Sequence, residues 1–251
     1  MKIVTNLLEW QAIRQTFANK SVGLVHTMGN LHQGHLQLCE RSKHENDVTV
    51  ACIFINPTQF NTENDFKYYP RTLEQDRALL NAMQIDILIH PAVEMIYPDN
   101  YHIQISETSL SLELEGAYRP GHFNGMLTVV LKLLLLVRPT RAYYGEKDYQ
   151  QLLLIKKMAA ALFLLTEIIG CPTVRDHDQL ALSSRNTRLS PTERALAAYF
   201  PKLLHSTLSL DEITQQLTDL GFKIDYITEK WQRRLGAVWI NQVRLIDNII
   251  I

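Results

Sequence analysis

A doubly wound α/β domain is the fold class this sequence predicts, and two patterns predict it. Short apolar, β-rich runs recur from Val22 to Ile169 with helical patterns between them. Such alternation calls for parallel strands joined by crossover helices. The polar motifs with chemical content also fall at the ends of those runs, where ligands of open α/β sheets bind.

The elements follow in order. Val22–Val25 reads as a short buried strand, and a helix opens at Gln33. Val48–Ile55 is the second strand, followed by a polar loop and a helix from about Thr72 to Met83, with Thr72 as N-cap and acidic residues in the first turns. Ile85–Ile89 is a third strand. Leu127–Val137 is a helix apolar enough to be buried on most sides. Arg141–Gly145 and Thr166–Ile169 are strands flanking a helix over Tyr149–Leu162. Composition changes after Gly170-Cys171-Pro172. Helix patterns at Pro191–Leu204 and Leu210–Leu220, and a short strand at Val243–Ile246, then suggest a smaller α+β domain. The expected division is 1–173, a Rossmann-like domain, and 174–251, a C-terminal lid.

Bulk properties narrow the function. The chain has 251 residues and a net charge of −1, so no basic excess draws it to nucleic acid. Three separated cysteines, Cys39, Cys52 and Cys171, form neither a disulfide framework nor a thiolate zinc site. The N-terminus lacks the apolar core of a signal peptide, and the run Met126–Val137, interrupted by Lys132, is too short to cross a bilayer. A cytoplasmic protein without membrane contact is expected. No Gly-x-Gly occurs, and His35-Leu36 stand where a phosphate loop would have Lys and Ser or Thr. A dinucleotide enzyme and a P-loop kinase are thereby disfavoured.

The most informative stretch is Thr27-Met28-Gly29-Asn30-Leu31-His32-Gln33-Gly34-His35, where a strand turns into a helix. Two histidines three apart share one helical face. The turn's backbone N–H groups and the helix N-terminus suit a phosphate. Taken singly, either histidine is more often structural than catalytic. The pair resembles the H-x-G-H signature of adenylyl-transferring enzymes, whose histidines contact ATP phosphates.

Other segments carry weaker signals. Asn56 and Gln59, in Asn56-Pro57-Thr58-Gln59, are either part of an ordinary turn or amides that hold a small hydroxy acid. Asp76 could reach a magnesium ion carried by ATP. Arg119 and His122 lie in a Gly- and Pro-marked loop that is solvated or binds an anion. Gly145-Glu146-Lys147-Asp148 joins a strand to a helix whose start carries Gln150 and Gln151, and Lys147 offers a point charge to a phosphate. Ser183-Ser184-Arg185 combines hydroxyl donors with a fixed charge, as a polyphosphate clamp would.

These six segments together closely resemble the pantothenate synthetase (pantoate–β-alanine ligase) family, from about Thr27 to Leu189 and again at Arg244-Leu245-Ile246-Asp247-Asn248. The resemblance implies that ATP activates pantoate as an enzyme-bound adenylate, with pyrophosphate leaving. The amine of β-alanine then attacks, giving pantothenate and AMP. It places Met28, Gly29, Asn30, Leu31, His32, Gln33, Gly34 and His35 in the ATP site, together with Gly145, Glu146, Lys147, Asp148, Val174, Leu182, Ser183, Ser184 and Arg185. His35, His32, Lys147 and Arg185 would be catalytic. Thr27, Met28, Asn56, Gln59 and Gln151 would hold pantoate or β-alanine, and Mg²⁺ would accompany ATP. A homodimer through the larger domain is also implied.

The chain departs from the family pattern at His26, where proline is usual, at Gln179, where glycine is usual, and in a shortened segment between Leu210 and Val243. Competing readings are a related adenylyl transferase acting on a phosphate-bearing substrate, a non-catalytic nucleotide sensor, and a zinc hydrolase using His26, His32 and His35. The neutral acceptor candidates Asn56, Gln59 and Gln151 favour a small hydroxy acid.

Overall fold

The computed structural model describes residues 1–61 and 66–251. It falls into two compact units, Met1–Gly145 with Gln150–Cys171, and Glu146–Tyr149 with Pro172–Ile251.

The first unit runs β1 (Lys2–Val4), α1 (Leu7–Gln15), β2 (Val22–Thr27), α2 (Gln33–Glu45), β3 (Val48–Ile53), α3 (Leu73–Ala82), β4 (Ile87–Ile89), α4 (His122–Val137), β5 (Arg141–Gly145), α5 (Tyr149–Ala161) and β6 (Glu167–Cys171). Its six strands pair in parallel in the order β1-β4-β3-β2-β5-β6. The doubly wound parallel sheet is therefore present. β2 lies between β3 and β5, so the winding reverses beside it. The carboxyl ends of β2 and β5, at Thr27 and Gly145, border the crevice where such sheets take ligands.

Burial explains the strand sequences. Every residue of β3 is buried, as a strand covered on both faces requires. On one face Val25, Ala51, Ile53 and Tyr143 pack with Leu38 and Cys39 of α2 and Leu80 of α3. α4 is apolar nearly all round and largely buried, and Trp10 of α1 donates its indole N–H to the Leu136 carbonyl at 2.8 Å. Lys132, the charge that interrupts this helix, pairs with Asp99 at 2.7 Å. α4 begins at His122, more than a turn before the expected start at Leu127, and follows Gly121 in the left-handed region (φ +81°).

The second unit holds α6 (Pro191–Ala197), α7 (Tyr199–Leu204), α8 (Leu210–Asp219), β7 (Lys223–Lys230), β8 (Arg233–Ile240) and β9 (Val243–Ile250), the strands forming an antiparallel sheet. Ala197, Phe200, Leu204, Ile213, Leu217, Val238 and Leu245 make its core. The helix expected across Pro191–Leu204 is two helices. Pro201 has no N–H to give the Ala197 carbonyl, and its ring crowds that position. Strand β9 is twice the expected length, and β7 and β8 have no counterpart among the expected elements. Their two-residue turn, Trp231-Gln232, has φ of +55° and +57°, the form that normally announces itself with Asn-Gly.

Two local features have consequences for stability. His26 lies on β2, and its Nε2 is sealed from solvent without a hydrogen-bond partner. Burial lowers its pKa to about 4, against the opposing effect of a hydrogen bond to the Phe54 backbone. The folded state therefore keeps the ring neutral while the unfolded chain gains a proton below about 6.5. Stability from this group is complete above pH 6.5 and is lost as pH falls through about 4. The loss is on the order of 3 kcal/mol. Chemical denaturation of wild type and His26→Gln across this range should give a difference in unfolding free energy that changes by that order. A difference constant with pH would disprove the buried neutral state.

The exposed Gln179 sits in the left-handed region at φ +70°. Its backbone N–H donates to the Asp176 carbonyl and its own carbonyl accepts from Arg175, so its side chain is not needed for the turn. Gln179→Gly removes the steric cost and should stabilise by roughly 0.5–1 kcal/mol. Thermal unfolding should show a midpoint about 1–4 °C higher. A lower midpoint would mean that unfolded-chain entropy outweighs the strain.

Candidate active site

The turn from β2 to α2 is built around a buried carboxylate. Asp76, in the first turn of α3, accepts hydrogen bonds from the backbone N–H groups of Asn30 (2.9 Å) and Leu31 (2.8 Å) and from the Thr72 hydroxyl (3.1 Å). Thr72 thus serves Asp76 instead of capping the helix by its side chain. The carboxylate thereby shapes the loop, a role beyond the magnesium contact expected of it. Gly29 takes φ +81° and Asn30 φ +49° as the chain reverses over it.

The same bonds correct the picture of a turn lined with free amides. Besides Asn30 and Leu31, Gly29 N–H donates to the Thr27 hydroxyl oxygen at 3.2 Å. Gly34 N–H donates to Nδ1 of His32 at 3.2 Å, and His32 N–H to Nδ1 of His35 at 3.4 Å, a reciprocal capping box made of two imidazoles. Five amides of the turn are therefore engaged within the protein. In both rings Nδ1 accepts from a main-chain amide, so the proton of the neutral ring sits on Nε2. The rings stack with centroids 4.0 Å apart, and each carries an Nε2–H donor at the N-terminus of α2. Protonating either Nδ1 would break the cap.

A second polar cluster lies after β3. Asn56 is fully buried. Its amide nitrogen donates to the Gly125 carbonyl at 3.2 Å and to Oε1 of Gln59 at 3.0 Å, while its oxygen accepts from the Tyr97 hydroxyl at 2.6 Å and the Thr58 hydroxyl at 3.1 Å. A carbonyl can only accept, so the contact with Gly125 fixes which way Asn56 faces. Gln59 is fixed in turn: its oxygen is engaged and its Nε2 points at the Met28 sulfur, 2.9 Å away. Gln59 thus presents a donor beside Met28. Gly125 permits the approach, since a Cβ there would lie 2.3 Å from the Thr58 carbonyl oxygen. His122 is buried in α4, with Nδ1 2.8 Å from the Gln59 carbonyl. It steadies the chain at Gln59 and lies on a buried helix face, which corrects the reading of a solvated loop. Arg119 lies 3.8 Å from the Glu115 carboxylate.

Of the paired glutamines, Gln150 is buried and structural, accepting from Glu115 N–H and donating to the carbonyls of Leu110 and Glu113. Gln151, half-buried one position on, remains the candidate.

In the second unit, Glu146–Tyr149 is tied to β8 and β9. Asn248 donates to the carbonyls of Glu146 and Lys147, each at 2.9 Å. Arg233 pairs with the Glu146 carboxylate at 2.7 Å, bonds Asn248 at 2.8 Å and lies over the Tyr149 ring at 4.1 Å. Glu146 is thus an ion-pair partner of Arg233, while the largely covered Lys147 has its ammonium 3.9 Å from Asp148. Buried Asp247 holds Arg175 through two bonds of 2.6 and 2.8 Å, and Leu182 N–H meets the Val174 carbonyl at 3.0 Å, which closes the loop before Ser183. Ser183 caps the 3₁₀ turn Ser184–Arg188 by accepting from Arg185 N–H, and Ser184 is buried.

Metal-ligand geometry is sparse. Among the described residues, Asp176, His177 and Asp178 bring three possible ligand atoms together. Both carboxylates pair with Arg194, which answers their charge. His26, His32 and His35 do not converge, which removes the zinc reading. No described helix is long and apolar enough to cross a membrane.

Sequence reasoning misses Tyr97, Thr58 and Gly125 as supports of Asn56, and Arg233 as the partner of Glu146. For Tyr97, Gly125 and Arg233 the sequence separations of 41, 69 and 87 residues leave no local signal.

Comparison with known proteins accords with this geometry. The model of the family described as pantoate-beta-alanine ligase matches residues 2–250. A pantothenate synthetase of Coxiella burnetii (strain Dugway 5J108-111) is 54% identical over 248 residues, covering 99% of this chain and 96% of the relative. One from Legionella pneumophila (strain Corby) is 49% identical with full coverage of both chains. The crystal structure of the Francisella tularensis pantoate-beta-alanine ligase, complexed with beta-gamma ATP and beta-alanine, superposes with a TM-score of 0.96 at 42% identity, covering 100% of this chain and 97% of that one. A pantothenate synthetase of Thermus thermophilus gives 0.91 at 40% identity, covering 100% and 99%. The chain belongs to the pantoate–β-alanine ligase family and is an enzyme of that kind.

Proposed function

We propose that this enzyme condenses (R)-pantoate with β-alanine at the expense of ATP, through a pantoyl adenylate, releasing pyrophosphate, AMP and pantothenate. The observation that carries the chemical reading is the tautomer-locked pair His32 and His35 at the end of β2. A carboxylate attacking the α-phosphate adds negative charge to oxygens already charged. Donors fixed in place beforehand lower that barrier without reorganising. Two Nε2–H groups held by main-chain amides meet that requirement. Because proton gain at Nδ1 would undo the cap, His35 acts as a hydrogen-bond donor to the phosphate chain.

Gln59 and Gln151, with Met28 and Thr27, are assigned to pantoate. Gln59 offers its N–H to an oxygen of the acid, as its anchored orientation favours. Lys147, Ser183, Ser184 and Arg185, with Val174 and Leu182, are assigned to the nucleotide on the strength of the family resemblance. Magnesium enters as part of the substrate, on the ATP phosphates, and Asp76 is the carboxylate assigned to reach it.

Labelled pyrophosphate should enter ATP when pantoate is present and β-alanine absent. Exchange with another acid but not pantoate would overturn the substrate assignment. Exchange that needs β-alanine would overturn the adenylate. His35→Ala should slow pantoate-dependent exchange at least about tenfold, since a single preorganised donor contributes roughly 10²–10³ in rate. Undiminished exchange in a variant with wild-type thermal midpoint would remove His35 from the chemistry.

A further inference from the structure

We propose that Tyr97 is a positioning residue for the acid substrate, acting through Asn56 on Gln59. This rests on the reading that Gln59 binds pantoate. The geometry is a relay of fixed polarity. The Tyr97 hydroxyl donates to Oδ1 of Asn56 at 2.6 Å, Nδ2 of Asn56 donates to Oε1 of Gln59 at 3.0 Å, and Nε2 of Gln59 is left facing Met28. Each bond sets the direction of the next, so the donor that Gln59 presents is decided two side chains away.

Tyr97 is itself held firmly. It is buried, its ring lies against Tyr101 with centroids 4.5 Å apart, and the Lys132 ammonium sits over it at 5.1 Å. Lys132 is fixed by Asp99. The phenol also lies 3.2 Å from the Thr58 hydroxyl, but its contact with Asn56 is much the shorter, and Oδ1 of Asn56 can only accept. Without that hydroxyl, Oδ1 of Asn56 keeps Thr58 alone, at the longer distance of 3.1 Å. Asn56 can then rotate about its contact with Gly125, and Gln59 follows. Such a change weakens ground-state and transition-state binding of the acid alike, so it raises KM and spares kcat.

The test is a double-mutant cycle of Tyr97→Phe and Gln59→Ala, read as KM for pantoate, KM for ATP, and kcat, with thermal midpoints as the folding control. Tyr97→Phe should raise KM for pantoate about two- to tenfold, the effect of one neutral hydrogen bond. KM for ATP and kcat should be unchanged. In the Gln59→Ala background the same substitution should have no further effect, the coupling expected of a residue that acts through another. An equal rise in both backgrounds, or no rise in either while Gln59→Ala alone raises KM, overturns the proposal and leaves the role of Gln59 standing. A Gln59→Ala enzyme with wild-type KM for pantoate overturns the role of Gln59 and the relay together. Should Tyr97→Phe fail to fold, Thr58→Val removes the other hydroxyl on the same oxygen and must show the same coupling.

Discussion

The carboxylate of Asp76 is the constraint on which the site depends. A buried carboxylate without partners would be strongly destabilising, and two backbone N–H groups inside a reversing turn would each cost about 1–3 kcal/mol if left unpaired. Bringing them together resolves both. Asp76 belongs to the first turn of α3, where the helix dipole also favours negative charge. The reversal it enforces at Gly29 and Asn30 ends β2 and aims the chain into α2 at the angle that lets His32 cap the helix. With the amides of Asn30 and Leu31 held by Asp76, the two imidazoles stand together at the N-terminus of α2. The loop is therefore both stabilised and chemically polarised by one residue that lies a strand and a helix further along the chain.

Orientation by main-chain groups is the common device of the first unit. His32 and His35 have their tautomers set by backbone N–H donors, and Asn56 has its amide set by a backbone carbonyl. Backbone groups cannot rotate or titrate in the working range, so the polarity they impose is permanent. The outcome is a set of oriented donors: two imidazole Nε2–H groups and the amide of Gln59. Within the first unit these donors are neutral, and the cations proposed for the nucleotide, Lys147 and Arg185, come from the second unit.

Much of the first unit is legible in the sequence because its signals are local. β5 reads residue for residue, and the span Thr72–Met83 brackets α3 by its two caps. The H-x-G-H segment, Asn56 and Gln59 stand out because they follow apolar runs that end abruptly. What hides is whatever depends on distant chain. Asp76 looks like an ordinary helix-start acid, because nothing near it tells that residues 30 and 31 lie above it. His122 looks solvated, because its partner is the Gln59 carbonyl, 63 residues earlier. The β7–β8 hairpin is invisible for a different reason. Its turn uses Trp231 and Gln232 in left-handed conformations that composition does not announce, and tertiary contact between Trp231 and Tyr149 accompanies it. Residues 146–149 cannot be assigned to the second unit until Asn248 and Arg233 are seen to grip them.

The departures from the family pattern also acquire a physical meaning. His26 introduces an unpartnered buried nitrogen and Gln179 a side chain where the backbone is left-handed. Each carries a cost of about 1–2 kcal/mol or more. Neither alters a group proposed to touch substrate. His26 is held in register with Cys52 by strand pairing, and Thr27 beside it keeps its own bond to Gly29. Gln179 lies in a loop bound through Arg175 to the buried Asp247. The surrounding bonds hold both positions, so the cost of each residue falls on stability. Substitutions at these two places thus act first on how stably each unit folds.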